Sequence, residues 1–247
     1  MKKGDMELVA PKDEVVLYQV TDGVAHIKLN RPDQINAFNI EMRDMLFQTL
    51  ELYRDDNEAK VAIISGEGGR GFCAGADLTE FGTTPSQVIS RDVRWERDLW
   101  GLFIALRKPI IAKLHGYVIG SGIEIAALCD IRVAADSSVF RMPEVALGMI
   151  PAAGGTQTLR NMVGASRALE IIMTNRMIDA SEALKIRLID RIATEDNLDR
   201  AVQNVARSLA ELNPKLLSSL KSTVIKGLDL TMAQGIQYER RNLVQGK

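Results

Sequence analysis

The sequence predicts an α/β fold that ends in an all-helical region. Two β-rich runs at 15–20 and 24–29 flank an Asp-Gly turn and predict an opening hairpin. Short β-branched runs, each followed by a small-residue loop and a helical pattern, recur from residue 61 to residue 160. From about Val163 onward, apolar residues recur almost entirely at helical spacing.

The first helix is predicted directly after the hairpin. A polar, proline-marked connection, NRPDQINAFN, leads to Asn39, whose side chain can cap a helix through residues 40–56. Its apolar residues leave one mostly apolar face, as expected for a helix that packs on a core.

Three buried strands are predicted next. The run at 61–66 lacks alternation, as in strands covered on both faces, and feeds the glycine-rich segment GFCAGADL. Segment 109–120 repeats the pattern as one buried strand followed by a small-residue loop and a helix, and 130–135 is the third strand. The stretch 136–159 is predicted as a loop leading into a helix. Right-handed crossovers of this kind stack strands into parallel sheets with helices outside.

The C-terminal region is predicted to be a helical appendage. Asn213-Pro214 ends one helix and begins the next. We expect a core of residues 1–190 and a helical oligomerisation region of residues 191–247. The apolar face of these helices either covers the core or pairs with another subunit.

Composition excludes several classes of protein. The 31 basic and 32 acidic residues give a net charge of −1, so no bulk field attracts nucleic acid or an anionic membrane. No apolar run approaches the roughly 18 residues that span a bilayer, and the N-terminus lacks a secretory signal, so we expect a cytoplasmic protein. Cys73 and Cys129 are predicted to be buried thiols. With His26 and His115 alone, a multi-histidine metal site is excluded, and both are predicted to be structural.

Two small-residue loops are candidates for binding an anion. Ala74 to Ala76 let a ligand approach the main chain, and Asp77 follows as a possible helix cap. Gly120 to Gly122 repeat this feature. The N–H groups of Ala76 and Ser121, converging at a helix N-terminus, would hold an oxyanion. The alternative is that both loops are merely tight turns.

Two glutamates follow small-residue or proline signals. Glu124 lies in the first turn behind the second loop, and Glu144 follows Pro143, where an N1 proline would fix a helix start. Two carboxyl groups in an apolar setting can share a water and relay protons near neutral pH. The alternative is capping, since acids in the first helical turn are stabilised by the helix dipole.

Three long segments in order, GFCAGADL, GYVIGSGIEIAALCDIRVAA and FRMPEVALGMIPAAGGTQTLRNMVG, resemble the signatures of the crotonase superfamily, enoyl-CoA hydratase/isomerase branch. The resemblance implies a spiral of ββα turns, with a C-terminal helical part that builds a homotrimer or a homohexamer. It implies acyl-CoA substrates of fatty acid metabolism, with no metal or redox cofactor, and an oxyanion hole formed by Ala76 and Ser121. The implied CoA-binding residues are Ala74, Ala76, Asp77, Leu78, Thr79 and Ser121.

The resemblance also implies a reaction. Because both glutamate positions carry acids, an enoyl-CoA hydratase is favoured, with Glu124 activating water for C3 and Glu144 delivering a proton to C2. A Δ3-Δ2 enoyl-CoA isomerase with Glu144 as the main proton shuttle is the alternative enzyme. An RNA-binding homologue is the alternative outside catalysis, and the intact acids and neutral charge oppose it.

The chain departs from the pattern at several positions. Ser121 replaces a common glycine, Thr79 replaces a lysine that some relatives use near the adenine, and Ala152 replaces a frequent glycine. The sequence stops about one helix before most relatives do, so the acyl pocket is open, covered by a neighbour or closed by a tail outside this sequence. The segment 91–103 is either a flap over the acyl chain or an ordinary helix. The aromatic candidates for the acyl lining, or alternatively for the core, are Tyr117, Trp95, Trp100 and Phe103.

Overall fold

A computed structural model of the protein describes residues 14–80 and 97–242. Within these ranges, ten strands form two sheets. The six-stranded sheet has the order β1-β2-β3-β5-β7-β10, in which β1 and β2 are antiparallel and the remaining pairs are parallel. The four-stranded sheet has the order β4-β6-β8-β9, and its β8–β9 pair is antiparallel. The strands are β1 Val16–Thr21, β2 Val24–Leu29, β3 Val61–Gly66, β4 Gly71–Cys73, β5 Ile110–Leu114, β6 Tyr117–Ile119, β7 Ile131–Ala135, β8 Val139–Arg141, β9 Ile178–Asp179 and β10 Arg191–Ala193.

The chain winds as a spiral between the two sheets. Each turn places one strand in the large sheet and the next in the small sheet, so β3, β5 and β7 are neighbours in one and β4, β6 and β8 in the other. Helices follow these strand pairs. The described α-helices are α1 Ile40–Asp55, α2 Leu99–Ala105, α3 Ser121–Leu128, α4 Gly155–Val163, α5 Ala165–Thr174, α6 Ala180–Lys185, α7 Leu198–Ala210, α8 Pro214–Gly227 and α9 Met232–Arg241.

The apolar side chains of the large sheet point into two separate cores. On β3, Ala62 and Ile64 belong to the main core between the sheets, whereas Val61 and Ile63 belong to a second core beneath α7. Strands covered on both faces need no polar alternation. This explains the continuous apolar run from which the strand was predicted.

The predicted opening hairpin and the predicted cap of the first helix are both confirmed. Asp22 and Gly23, with φ of 52° and 78°, form the predicted turn, whose left-handed residues match the twist of a hairpin. Asn39 caps α1, and its side chain accepts a hydrogen bond from Met42 N.

The segment 109–120 was predicted as one strand and is two. β5 lies in the large sheet and β6 in the small one, because the chain bends sharply at Gly116, whose φ is 50°. A Cβ at Gly116 would overlap the carbonyl of Arg70, so only glycine fits this bend. The prediction of a loop over 136–159 was also incomplete, since it contains β8.

The helix start assigned to Pro143 is different in the structure. Pro143 precedes a four-residue 3-10 turn, Glu144–Leu147, that ends at Gly148 with a φ of 72°. The α-helix itself begins at Gly155. This short turn places the Glu144 side chain beside Gly120, the residue that follows β6.

The C-terminal helices play two roles. α7 covers the outer face of the large sheet through Leu198, Val202 and Val205, and β10 is an edge strand of that sheet. Asn213 caps α8 as predicted. Apolar residues of α8 and α9 remain exposed. The division at residue 190 stays a prediction.

The cysteines are buried as predicted, and the structural role of the histidines stays a prediction. Cys73 and Cys129 are free and buried, and burial raises the pKa of each thiol to about 12. His115 is buried, and its Nε2 lies 2.8 Å from the Gly68 carbonyl oxygen. Burial also lowers the pKa of His26. In the ranges that the structure describes, no helix combines the length and apolarity needed to cross a bilayer.

Candidate active site

The candidate active site lies where three parallel strands of the small sheet end side by side. β6 pairs with β4 on one side and with β8 on the other, with Ile119 opposite Arg141. The loops that follow β4, β6 and β8 therefore emerge at one edge. Ligands of parallel sheets bind at the carboxyl ends of the strands.

The first loop exposes the N–H group of Ala76. The loop pairs with Phe38, since Phe38 N donates to Gly75 O at 2.8 Å and Asp77 N donates to Phe38 O at 3.0 Å. Among the described residues, no protein acceptor pairs with Ala76 N. Gly75 has a φ of 95°, which turns the chain beside β6. Ala76 thus presents an unpaired donor on an exposed surface.

The second loop leaves the N-terminus of α3 uncapped. Gly120, with φ 50° and ψ −115°, precedes the helix and has no side chain to accept from its first N–H groups. The N–H groups of Ile123 and Glu124 return to Gly120 O, whereas Ser121 N has no protein acceptor within the described ranges. A free N–H at a helix N-terminus favours negative charge.

The two loops touch each other. A Cβ added to Gly75 would lie 3.2 Å from Ile119 O and 3.9 Å from Gly120 Cα. A Cβ at Gly122 would lie 2.8 Å from Cys73 O, so α3 packs directly on the end of β4. Because Gly75 is adjacent to Ala76, and Gly120 and Gly122 flank Ser121, the N–H groups of Ala76 and Ser121 border the same edge.

Glu124 is buried beneath this edge, with 2% of its surface exposed. Its Oε1 accepts hydrogen bonds from Ala153 N at 3.0 Å and Gly155 N at 2.9 Å. Burial raises the pKa of this carboxyl group, the two N–H donors oppose that shift, and Glu144 adds to the shift whenever it is ionised. Glu124 therefore caps the start of α4 rather than its own helix. Capping and a chemical role are compatible here.

Glu144 lies against Gly120. A Cβ on Gly120 would lie 2.7 Å from Glu144 Oε1, so the glycine makes room for the carboxyl group. Its Oε2 is buried, and no described residue hydrogen-bonds it. Burial raises the pKa of Glu144. A carboxyl oxygen that is buried without a donor favours the protonated form.

The two carboxyl groups thus have different surroundings. Burial raises the pKa of both groups, but Glu124 receives two backbone N–H bonds, which stabilise its ionised form, whereas Glu144 Oε2 receives none from the described residues. Two carboxyl groups in different surroundings can serve as base and acid. Beside two free N–H donors, this pair can remove a proton from one atom and deliver one to another.

The other predicted CoA-binding residues all lie on the first loop. Asp77 Oδ1 accepts from Thr79 N at 3.1 Å and from Thr79 Oγ1 at 2.7 Å. Leu78 is exposed, and Ala74 N donates to Ile35 O at 2.9 Å. Side chains of Asp77 and Thr79 are engaged with each other, which leaves Leu78 and the main chain to meet a ligand.

The aromatic candidates have separate positions. Phe103 is 1% exposed and belongs to the core. Trp100 is partly buried, and its ring lies 5.8 Å from that of Phe38. Tyr117 is 46% exposed at the start of β6. Trp95 lies outside the described residues, as do the first six residues of the segment 91–103, whose remainder leads into α2.

Three contacts of the site were not predicted. Ala153 and Gly155 hold Glu124, and Arg31 pairs with Asp77 at 2.9 Å. The pair Gly154-Gly155 at the start of α4 could have indicated the contact with Glu124, since these glycines begin a helix without a capping side chain. Nothing local to Arg31 indicates a partner 46 residues away.

Comparison with known proteins identifies relatives that match most of the chain. The family described as Enoyl-CoA hydratase/isomerase matches residues 19–246. The probable enoyl-CoA hydratase 2, mitochondrial, of Arabidopsis thaliana is 35% identical over 217 residues, covering 88% of this chain and 72% of the relative. The probable enoyl-CoA hydratase echA8 of Mycobacterium tuberculosis is 32% identical over 229 residues, covering 92% and 88%.

Solved structures show the same fold. An enoyl-CoA hydratase of Bacillus anthracis superposes with a TM-score of 0.87 at 30% identity, covering 92% of this chain and 89% of that one. A protein of Geobacillus kaustophilus described as an enoyl-CoA hydratase subunit gives a TM-score of 0.86 at 32% identity, covering 92% and 88%. Together with the spiral of two sheets and the match over most of its length, these similarities establish that the chain belongs to the enoyl-CoA hydratase/isomerase family of the crotonase superfamily.

Proposed function

We propose that this protein is an enoyl-CoA hydratase, which adds water across the double bond of a 2-enoyl-CoA to give a 3-hydroxyacyl-CoA. The observation that carries the proposal is a pair of acids, the buried Glu124 and the partly buried Glu144, which differ in their hydrogen bonds and lie near two N–H groups that have no acceptor among the described residues. The names of the relatives given above support the same reaction.

The thioester oxygen is proposed to accept hydrogen bonds from Ala76 N and Ser121 N. As water adds to C3, negative charge moves from the double bond onto this oxygen, and preorganised donors stabilise it. The Ser121 hydroxyl lies near the Glu124 carboxyl and lowers its pKa. Ser121 thus adds a second interaction that the common glycine lacks.

The glutamates are proposed to divide the proton transfers. Glu124, stabilised as a carboxylate by Ala153 N and Gly155 N, takes a proton from the water whose oxygen bonds to C3. Glu144, whose pKa is raised by burial and whose Oε2 has no donor among the described residues, is proposed to be protonated and to give its proton to C2. One hydroxyl group and one proton are added, and passage of a proton from Glu124 back to Glu144 restores the starting state.

The CoA portion is proposed to bind along the first loop, at Ala74, Ala76, Asp77, Leu78 and Thr79, and at Ser121. No metal or redox cofactor enters this scheme, because oxygen and proton both come from water. The expectation of a cytoplasmic location remains a prediction, and the Arabidopsis thaliana relative is described as mitochondrial.

The assembly is proposed to be a homotrimer or a dimer of trimers. α8 and its C-cap carry Leu216, Leu220, Val224 and Leu228 at four-residue intervals, and each is at least 42% exposed. Such a stripe lies on one helix face. Exposed contiguous apolar surface typically marks a protein interface.

Replacing each glutamate with glutamine tests the reaction. Loss of the conjugated thioester absorbance of crotonyl-CoA reports hydration by the wild type. Glu124→Gln and Glu144→Gln should each lower kcat about 10²- to 10⁴-fold, the usual contribution of general acid or base catalysis. Affinity for the substrate should change little, since neither substitution alters the N–H donors.

Glu41→Gln is the matched control. Glu41 also lies in the first turn of a helix, α1, but is exposed. If helix capping were the role of these acids, all three variants would retain turnover and lose stability. Full turnover in Glu124→Gln or Glu144→Gln would remove that residue from the mechanism.

A Δ3-Δ2 enoyl-CoA isomerase is the second candidate. The observation in its favour is that Glu124 Oε1 already accepts two hydrogen bonds, whereas Glu144 Oε2 accepts none from the described residues. A single mobile proton carrier at Glu144 suffices for isomerisation. If a 3-enoyl-CoA gains the absorbance of a conjugated thioester, and Glu124→Gln keeps this activity, the isomerase is favoured. If Glu124→Gln and Glu144→Gln both lose hydration of crotonyl-CoA, the hydratase is favoured.

A further inference from the structure

The segment 31–38 has an unusual backbone that packs against the first loop of the site. Ile35 and Asn36 are consecutive non-glycine residues with φ of 51° and 55°. The left-handed region is uncommon for non-glycine residues and an outlier for a β-branched one such as isoleucine. Such conformations persist only where the surroundings impose them, and they cluster at functional sites.

A buried asparagine imposes this conformation. Asn36 is fully buried, and its Oδ1 accepts a hydrogen bond from Arg31 N at 2.9 Å. Its Nδ2 donates to Glu67 O at 3.0 Å and to Gly71 O at 3.1 Å. One side chain thus closes the segment on itself and joins it to the start of β4. The segment is therefore fixed relative to the strand that carries the first loop.

The segment then hydrogen-bonds to the loop on both sides of Ala76. Phe38 N donates to Gly75 O at 2.8 Å, and Phe38 O accepts from Asp77 N at 3.0 Å. In an extended chain the N–H groups of consecutive residues point to opposite sides. Because Asp77 N points toward Phe38, the N–H of Ala76 points away from the segment.

An ion pair closes the far end of the loop. Arg31 Nη1 donates to Asp77 Oδ2 at 2.9 Å and to Ala37 O at 2.5 Å. The side chains of Arg31 and Asp77 are 18% and 11% exposed, so solvent screens the pair weakly. Asp77 Oδ1 meanwhile holds Thr79. Both carboxylate oxygens are thus occupied by protein donors.

We infer that Arg31 and Asp77 are positioning residues for the reaction, and that their ion pair keeps the Ala76 N–H aimed at the thioester oxygen. This inference rests on the proposed function, because it requires a thioester oxygen at the Ala76 donor. Asp77 would act indirectly, because it anchors the first loop one residue after the Ala76 N–H donor. A donor displaced by a small distance loses most of its effect on charge that develops in the transition state.

The test measures the donor and the turnover separately. 4-Dimethylaminocinnamoyl-CoA is a conjugated thioester whose absorbance band moves to the red when its carbonyl oxygen accepts hydrogen bonds. Its band position when bound reports polarisation by the donors, with no need for turnover. Asp77→Asn should lose much of the red shift seen with the wild type. It should also lower kcat about 10- to 100-fold, part of the loss caused by deleting a donor, with KM changed less than about threefold.

Two further variants complete the design. Arg31→Lys keeps the charge but loses the planar guanidinium group, so we expect an intermediate red shift and an intermediate kcat. Glu182→Gln is the matched control. Glu182 lies on α6, outside the first loop of the site, and forms an ion pair with Arg176 at 2.6 Å. Its red shift and kcat should equal those of the wild type.

A general loss of folding is distinguished by the readout. A smaller fraction of folded molecules reduces the amplitude of the absorbance band of the bound probe but does not change its wavelength. If Asp77→Asn does not fold, Arg31→Lys provides the test in its place. If the bound probe absorbs at the wild-type wavelength in both Asp77→Asn and Arg31→Lys, the inference is wrong, even if kcat falls. If the wild type shifts the probe but hydrates no 2-enoyl-CoA, the proposed function fails while the positioning role is still tested.

Discussion

At the scale of single residues, the site is characterised by how differently the carboxyl groups of Glu144 and Glu124 are hydrogen-bonded. The Glu144 Oε2 is buried and has no donor among the residues that the structure describes, while Glu124 accepts two N–H bonds from residues 153 and 155. Buried polar groups without partners destabilise a fold, and such groups recur where function requires them. Glu144 is therefore a position where stability and the proposed chemistry are in conflict.

Glu144→Gln should make the protein more stable at high pH. Burial raises the pKa of Glu144, and a carboxyl group with a raised pKa stabilises the fold below its unfolded pKa and loses that contribution as the pH rises through its folded pKa. Neutral glutamine does not undergo this loss. We expect equal melting temperatures near pH 4 and a higher one for the variant at pH 8, by about 2–4 °C per kcal/mol gained.

Thermal denaturation between pH 4 and pH 8 measures this difference, with Glu41→Gln as the exposed control. A variant that is less stable than the wild type at pH 8 would show that Glu144 is held as a carboxylate by interactions that outweigh its burial. The assignment of Glu144 as the acid would then be wrong.

At the scale of elements, the fit of α3 on β4 decides where Ser121 lies. Gly122 permits the contact, because a Cβ there would lie 2.8 Å from Cys73 O and 3.0 Å from Cys73 Cβ. The neighbouring atoms are main chain and a buried side chain, which cannot move freely. The sequence GSG at 120–122 thus combines an uncapped helix start with a close approach of helix and strand.

Gly122→Ala should be destabilising, although alanine is the better helix former. An alanine in a helix is usually favoured over glycine by about 0.5–1 kcal/mol, but forcing an extra methyl group into a packed contact costs about 1–3 kcal/mol. We expect a lower melting temperature and a lower kcat, since α3 must move and carry Ser121 N with it. Denaturant titration and crotonyl-CoA hydration measure both effects.

Gly69→Ala is the control for this substitution. A Cβ at Gly69 would meet nothing within 4 Å, so its stability should stay within about 0.5 kcal/mol of the wild type. A Gly122→Ala protein more stable than the wild type, with unchanged kcat, would show that α3 does not depend on this contact.

At the scale of the whole molecule, the C-terminal helices divide into a covering helix and an exposed pair. α7 completes the second core. α8 is tied to its own chain by Lys221, whose Nζ donates to Asp130 Oδ2 at 2.8 Å and to Lys108 O at 3.1 Å. Leu217 is the buried apolar residue of α8, and the stripe of Leu216, Leu220, Val224 and Leu228 remains uncovered.

The double substitution Leu220→Asp, Val224→Asp should dissociate the proposed oligomer. Two carboxylates buried across a subunit interface without partners cost far more than two apolar side chains gain. We expect a trimer or hexamer for the wild type and a monomer for the variant by light scattering after gel filtration. Lys226→Asp, which adds negative charge to the same helix off the stripe, should keep the wild-type mass. A monomeric wild type would contradict the proposed assembly.

Local features of the fold were predictable from the sequence because they depend on neighbouring residues. The hairpin at Asp22-Gly23, the Asn39 cap and the β3 strand each follow from turn chemistry, capping or apolar patterning. Segment 109–120 was not resolved into two strands, since its apolar pattern is continuous and the bend at Gly116 depends on the nearby Arg70 carbonyl. For the site, the residue types were predictable, but their hydrogen-bond partners were not.

The family, the opening hairpin, the first helix with its cap and the candidate site residues were predictable from the sequence, because each is contained in a contiguous motif. The three-dimensional structure was needed to show that Glu124 caps α4, that Glu144 has a buried oxygen with no donor among the described residues, and that Arg31 holds Asp77. Each of these joins residues that lie far apart in the chain or depends on burial. Hydrogen-bond geometry and desolvation are set by the packed neighbours, which no local pattern specifies.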